Sequence, residues 1–119
     1  MSKSLNRIKI IVEKIGFIQN IINENDGKIV KALEDIQIYR PAILMHLISI
    51  AEQVDKLKKE KSHYLDLYEK EDLKGLYDVR TYIAHDYEGV NLAIIETAVR
   101  YGLEKILKVS ESILKENKQ

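Results

Sequence analysis

LNRIKIIVEKIGFIQNIINENDG, residues 5–27, carries Ile8, Ile11, Val12, Ile15, Ile18 and Ile22 at helical spacing, which gathers them on one face of an α-helix. Asn23-Glu24-Asn25-Asp26-Gly27 then supplies the turn chemistry that stops it. Ile10, Phe17 and Ile21 lie off the main stripe, so this helix carries more apolar surface than one neighbour covers. A second interface is expected for it.

Outward from this segment the same period recurs. Ile29, Leu33 and Ile36 predict a short second helix, after which Pro41 either opens a third helix at its first turn or kinks a longer one there. Leu44, Leu47, Ile48, Ala51, Val54 and Leu57 form the third helix, which runs out in the solvated charges Lys58-Lys59-Glu60-Lys61. Residues 62–71 are polar and read as the longest connection. Leu73, Leu76, Tyr77, Arg80 and Ile83 mark a fourth helix, weakened locally by Gly75 and ended near Gly89. Asn91 is a good N-cap for one long last helix through Leu92, Ile95, Val99, Leu103, Ile106 and Ile113. The expected fold is all-α: an antiparallel up-and-down bundle of four main helices plus a short one, in one domain over residues 1–119.

Composition bounds the function. Lys plus Arg and Asp plus Glu balance at 19 each, so any contact with RNA must be local, and bulk charge gives no reason to expect DNA binding. Cysteine is absent, which removes disulfides, thiol catalysis and the common zinc frameworks. Neither a signal peptide nor a membrane span is visible, and a cytoplasmic protein is expected. The three histidines are separated and lack a ligand-like repeat, so no metal and no cofactor are expected. His46 reads as a partly buried structural residue and His63 as solvent-facing.

The chemically suggestive segment is Arg80-Thr81-Tyr82-Ile83-Ala84-His85-Asp86-Tyr87. Five residues at about 100° each place Arg80 and His85 roughly 140° apart around a straight helix. They cooperate only if the helix loosens near His85, if the long arginine reaches around, or if a twofold axis brings two copies together. The last would place two arginines and two histidines in one cleft. An arginine fork complements a phosphodiester, and histidine exchanges protons near neutrality with a ribose 2′-hydroxyl or a leaving 5′-oxygen. Seven of the eight aromatic residues are tyrosines, and Tyr82 and Tyr87 are placed to stack on a base or to donate to a phosphate.

Arg80-x-x-x-x-His85-x-Tyr87 resembles the Arg-(x)4-His-x-Tyr motif of the HEPN superfamily, in its HepT-like branch. Leu47-Ile48-Ser49-Ile50-Ala51-Glu52 sits where that branch has an apolar helix ending in a glycine-glutamate-alanine-like step, with Ala51 in place of the glycine. The resemblance implies a helical bundle, a homodimer with the motif at its interface, and a metal-independent endoribonuclease. It implies the toxin of a toxin–antitoxin pair, partnered by an MNT-type minimal nucleotidyltransferase. Arg80 and His85 then match the catalytic pair. Tyr87 matches the tyrosine that some partners modify with AMP. Thr81 stands where the family usually has asparagine or another polar residue that supports the site, and Tyr82 and Glu52 are further candidates to support it or contact RNA.

Blander readings stand beside these. Arg80 can serve in a salt bridge with Asp78 or Asp86, His85 can act as a helix C-cap that favours the dipole, Tyr87 can pack on the last helix, and Glu52 can stabilise the bundle. At the level of the whole protein, the alternative is a catalytically weak dimer that docks a nucleotidyltransferase or holds a nucleotide, and beyond it a purely structural helical dimer.

Overall fold

Capping decides where the first helix begins and ends. In the computed structural model of the chain, which describes residues 2–118, the Ser2 hydroxyl caps α1 (Lys3–Glu24) by accepting from the Leu5 N–H at 3.1 Å. At the other end the N–H groups of Asn25 and Gly27 both donate to the Ile22 carbonyl. The chain leaves through Asp26 (φ 61°) and Gly27 (φ 72°), the left-handed exit that closes many helices.

The second helix, α2 (Ile29–Glu34), buries Ile29, Ala32 and Leu33. It stops at Asp35, whose carboxylate accepts from the N–H groups of Gln37 and Ile38 at 3.1 and 3.3 Å, local bonds that compete with helix continuation. Ile36, expected on the buried stripe of this helix, therefore lies in the turn beyond it and is 66% exposed. Pro41 falls in the first turn of α3 (Tyr39–Lys59), where its missing N–H costs no intrahelical bond, so it opens the helix and does not kink it.

Residues 62–71 are more ordered than a polar connection. They hold a 3₁₀ turn over His63–Leu67 and then bury Tyr68, whose hydroxyl meets the Ser110 hydroxyl at 2.6 Å inside the bundle. The fourth segment, α4 (Lys70–His85), buries Leu73, Leu76, Val79 and Ile83. Asn91 caps α5 (Leu92–Thr97) as expected, accepting from the Ala93 N–H at 2.9 Å. The long last helix is not uniform: a π turn over Ala98–Gly102 separates α5 from α6 (Leu103–Glu116).

The four long segments close a ring in which α1 packs on α3 and α6, α3 on α4, and α4 on the π turn. Arg7 near the start of α1 reaches Glu60 just past the end of α3 at 2.7 Å, which fixes these two helices as antiparallel. The surplus apolar surface of α1 is thus largely used within the chain, since one side meets α3 and another α6, and Ile21 packs on the core. Phe17 stays 45% exposed, its ring 5.4 Å from that of His46. Among the described residues there is no strand, and no helix is long and apolar enough to cross a membrane.

Candidate active site

The motif is held by α4 and the turn that follows it. Val79 and Ile83 anchor the helix in the core, which leaves the intervening side chains to point elsewhere. The helix remains regular from Arg80 through His85, its last residue, with Asp86 as the C-cap and the Asp86 N–H bonded to the Tyr82 carbonyl at 3.2 Å. The helix therefore does not loosen between the two residues to bring them together.

Arg80 is half-buried in a shallow cleft between α3 and α4, beside Ala51, Asp55 and Tyr77. Among the described residues its guanidinium makes no ion pair or hydrogen bond. Asp78 is engaged by Lys74 at 3.1 Å, and the Asp86 carboxylate accepts from the Gly89 N–H at 2.9 Å, so neither salt bridge considered for Arg80 forms. A Cβ at Gly89 would run into that carboxylate, so a side chain there would have to displace the Asp86 side chain from this bond. His85 itself is exposed at the end of α4.

The other sequence candidates divide between two flanks. Thr81 is exposed, but its hydroxyl donates to the Tyr77 carbonyl one turn back at 2.9 Å. Tyr82, 51% exposed, faces away from Arg80 into a groove of about 580 Å³ between α4 and the last helix, whose far wall includes Ile94, Ala98 and Tyr101. Tyr87 is half-buried against the core. Glu52 is exposed on α3 and, among the described residues, makes no polar contact with Arg80 or His85.

Sequence reading passed over Asp55, the carboxylate that shares the Arg80 cleft and is paired to Lys59 at 3.2 Å. Its position one turn beyond Ala51 was the available signal. His46 is half-buried, its pKa lowered by burial and by the charge of Lys14. His63 is exposed, its ring 4.2 Å from that of Tyr64.

A regular helix that carries an arginine unpaired among the described residues and, five residues on, an exposed histidine is able to bind a phosphodiester and move a proton, provided the two side chains converge. The family comparison bears on the same segment. No curated protein and no solved structure matches the chain. The model of a family described as ribonuclease HepT-like matches residues 3–113, a span that takes in the whole Arg80–Tyr87 motif, and the chain belongs to this HepT-like ribonuclease family.

Proposed function

We propose that this protein is an endoribonuclease that cleaves RNA by internal transesterification without a metal, at a site to which two copies of the chain contribute. His85 takes the proton of a ribose 2′-hydroxyl as its oxygen attacks the adjacent phosphorus, or delivers one to the departing 5′-oxygen. Arg80 stabilises the charge that builds on the non-bridging oxygens. The bond to the 5′-oxygen breaks, leaving a 2′,3′-cyclic phosphate and a 5′-hydroxyl.

The observation that carries this reading is the regularity of α4 from Arg80 to His85. It keeps the two heads on different sides of one helix, so either the arginine reaches around or a second copy completes the site, and a twofold pairing satisfies the second route. The apolar groove beside α4, flanked by exposed Tyr82 and Tyr101, offers a surface for such pairing. As a family trait, the reading extends to a toxin restrained by an MNT-type nucleotidyltransferase, with Tyr87 as the AMP acceptor.

Arg80→Ala and His85→Ala should each lower RNA cleavage by on the order of 10²-fold or more while circular dichroism and sizing stay unchanged. Tyr87→Phe should still cut but escape silencing by the nucleotidyltransferase with ATP. Undiminished cleavage by the His85 variant rejects the assignment. A second reading, a docking dimer without nuclease activity, is favoured by one observation: the Thr81 hydroxyl is already committed to the Tyr77 carbonyl and is not free to support a substrate. Absence of cleavage by the wild type would select it.

A further inference from the structure

The outer flank of α4 carries a feature that the Arg80–His85 pair leaves unused. Lys58 at the end of α3 and Lys70, Leu73, Lys74 and Tyr77 on α4 line a cleft of about 320 Å³. Three of these residues, Lys58, Leu73 and Tyr77, also border the Arg80 cleft, so the two form one continuous surface. Leu73 is its buried floor, and the Tyr77 ring stands 56% exposed above it.

Charge on this surface is one-sided, although the whole chain is neutral. Asp55 is held by Lys59 and Asp78 by Lys74, whereas Lys58 and Lys70 are exposed and make no ion pair among the described residues. The direction is also set. Lys74 and His85 are eleven residues apart, which brings them within about 20° of each other around α4 and about 16 Å apart along it. Lysines and an exposed tyrosine over an apolar floor therefore lead along the helix toward both motif residues.

We infer that this surface is the track on which a single-stranded RNA approaches the site, its phosphates against Lys58 and Lys70 and a base stacked on Tyr77. The inference rests on the RNA-cleavage reading for its direction and adds a binding subsite to it. Unpaired ammonium groups recognise phosphate as point charges. A tyrosine face stacks on any base that is not already paired, which selects a single strand over a duplex or an acidic polypeptide.

The test is fluorescence anisotropy of a short 2′-O-methyl oligoribonucleotide, which lacks the attacking hydroxyl and so reports binding apart from cleavage. Lys58→Gln with Lys70→Gln should weaken binding about tenfold and flatten the salt dependence by roughly 1.4 in log–log slope, about 0.7 for each phosphate deprived of its lysine. Tyr77→Ala should weaken it about tenfold or more, and Tyr77→Phe should retain it. Lys9→Gln with Lys28→Gln, exposed cations on α1 and before α2, should change neither.

Equal binding by the strip variants and the wild type, equal loss in the Lys9 and Lys28 control, or no binding by the wild type overturns the track. Competition by polyglutamate as effective as by polyuridylate at matched charge does so too, and makes the surface a site for acidic protein. The outcomes separate the two claims. Selective loss of binding in the strip variants of a wild type that does not cut keeps the track and removes the nuclease. Unaltered binding and KM in strip variants of an active wild type remove the track alone.

Discussion

If one copy's Arg80 works with the other copy's His85, then two inactive proteins should restore each other. A twofold dimer has two such sites. A dimer of one Arg80→Ala chain and one His85→Ala chain loses both groups at one site and keeps both at the other. Equimolar chains unfolded and refolded together pair at random, so half the dimers are mixed and the preparation recovers about one quarter of wild-type activity. The parents alone should stay on the order of 10²-fold or more below wild type. The rescue is therefore large against its background.

The geometric reason is the roughly 140° between positions five apart on a helix, together with the regularity of α4 through His85. If instead the arginine wraps around its own helix, each site draws both groups from one chain and mixed dimers contain none that is intact. The assay is cleavage of a labelled RNA by the refolded mixture, with sizing to establish that dimers form. A mixture no more active than its parents, in a preparation that does dimerise, refutes the shared site.

Cleavage should survive EDTA and leave a 2′,3′-cyclic phosphate, read by mass spectrometry of the products; a 3′-hydroxyl end, or activity restored only by magnesium or manganese, overturns the mechanism. Ser110→Ala and Tyr68→Phe each strand one buried hydroxyl of the 2.6 Å pair and should cost about 1–3 kcal/mol in urea unfolding, while the double variant should lose less than the sum. Stability should fall on acidification in two windows. The Arg7 hydrogen bond holds the Glu60 carboxyl below its ordinary pKa, with the Arg7 and Lys3 charges adding to it and partial burial opposing it. Its contribution is thus complete above about pH 4.3 and lost below. Burial, then Lys14, lowers the His46 pKa, so its contribution is complete above about pH 6.5 and declines as the pH falls through that value. Melting curves of Glu60→Gln and His46→Gln should each lack one of these limbs.

Much of this fold is legible in the sequence because its determinants are local. The stripe of α1, the Asn91 cap and the turn residues at 23–27 act through neighbours a few positions away, and each forms as the spacing predicts. Part of what escapes is set by distant partners, and part by a local competitor for the helix bonds. Nothing near Tyr68 tells it to be buried; its ring joins the core and its hydroxyl finds a partner in Ser110, 42 residues on. Ile36 has the right spacing for α2, but the Asp35 carboxylate takes the next N–H groups and ends the helix first. At the candidate site, the sequence puts Arg80 and His85 five residues apart on one helix, and α4 holds both. That Asp55 and not Glu52 borders the arginine depends on how α3 is turned against α4.

The π turn is an intermediate case, since its trace is in the spacing. Ile95, Val99 and Leu103 follow one another by steps of four, and each such step overshoots a full α-helical turn by about 40°. Two in succession would swing the stripe by about 80°, yet all three side chains are buried, at 0%, 8% and 3% exposure. A wider turn that takes more residues per revolution absorbs the excess, and the π turn falls between Ile95 and Leu103. It also packs directly against α4 and lends Ala98 and Tyr101 to the groove that Tyr82 faces. The local irregularity thus keeps the last helix in register with the core while it shapes the wall opposite the motif helix. Deleting one residue from that turn should therefore leave α5 and α6 in register as one plain helix, whereas straightening it with every residue kept would rotate one against the other by about 80°, turning out of the core a stripe that holds the bundle closed.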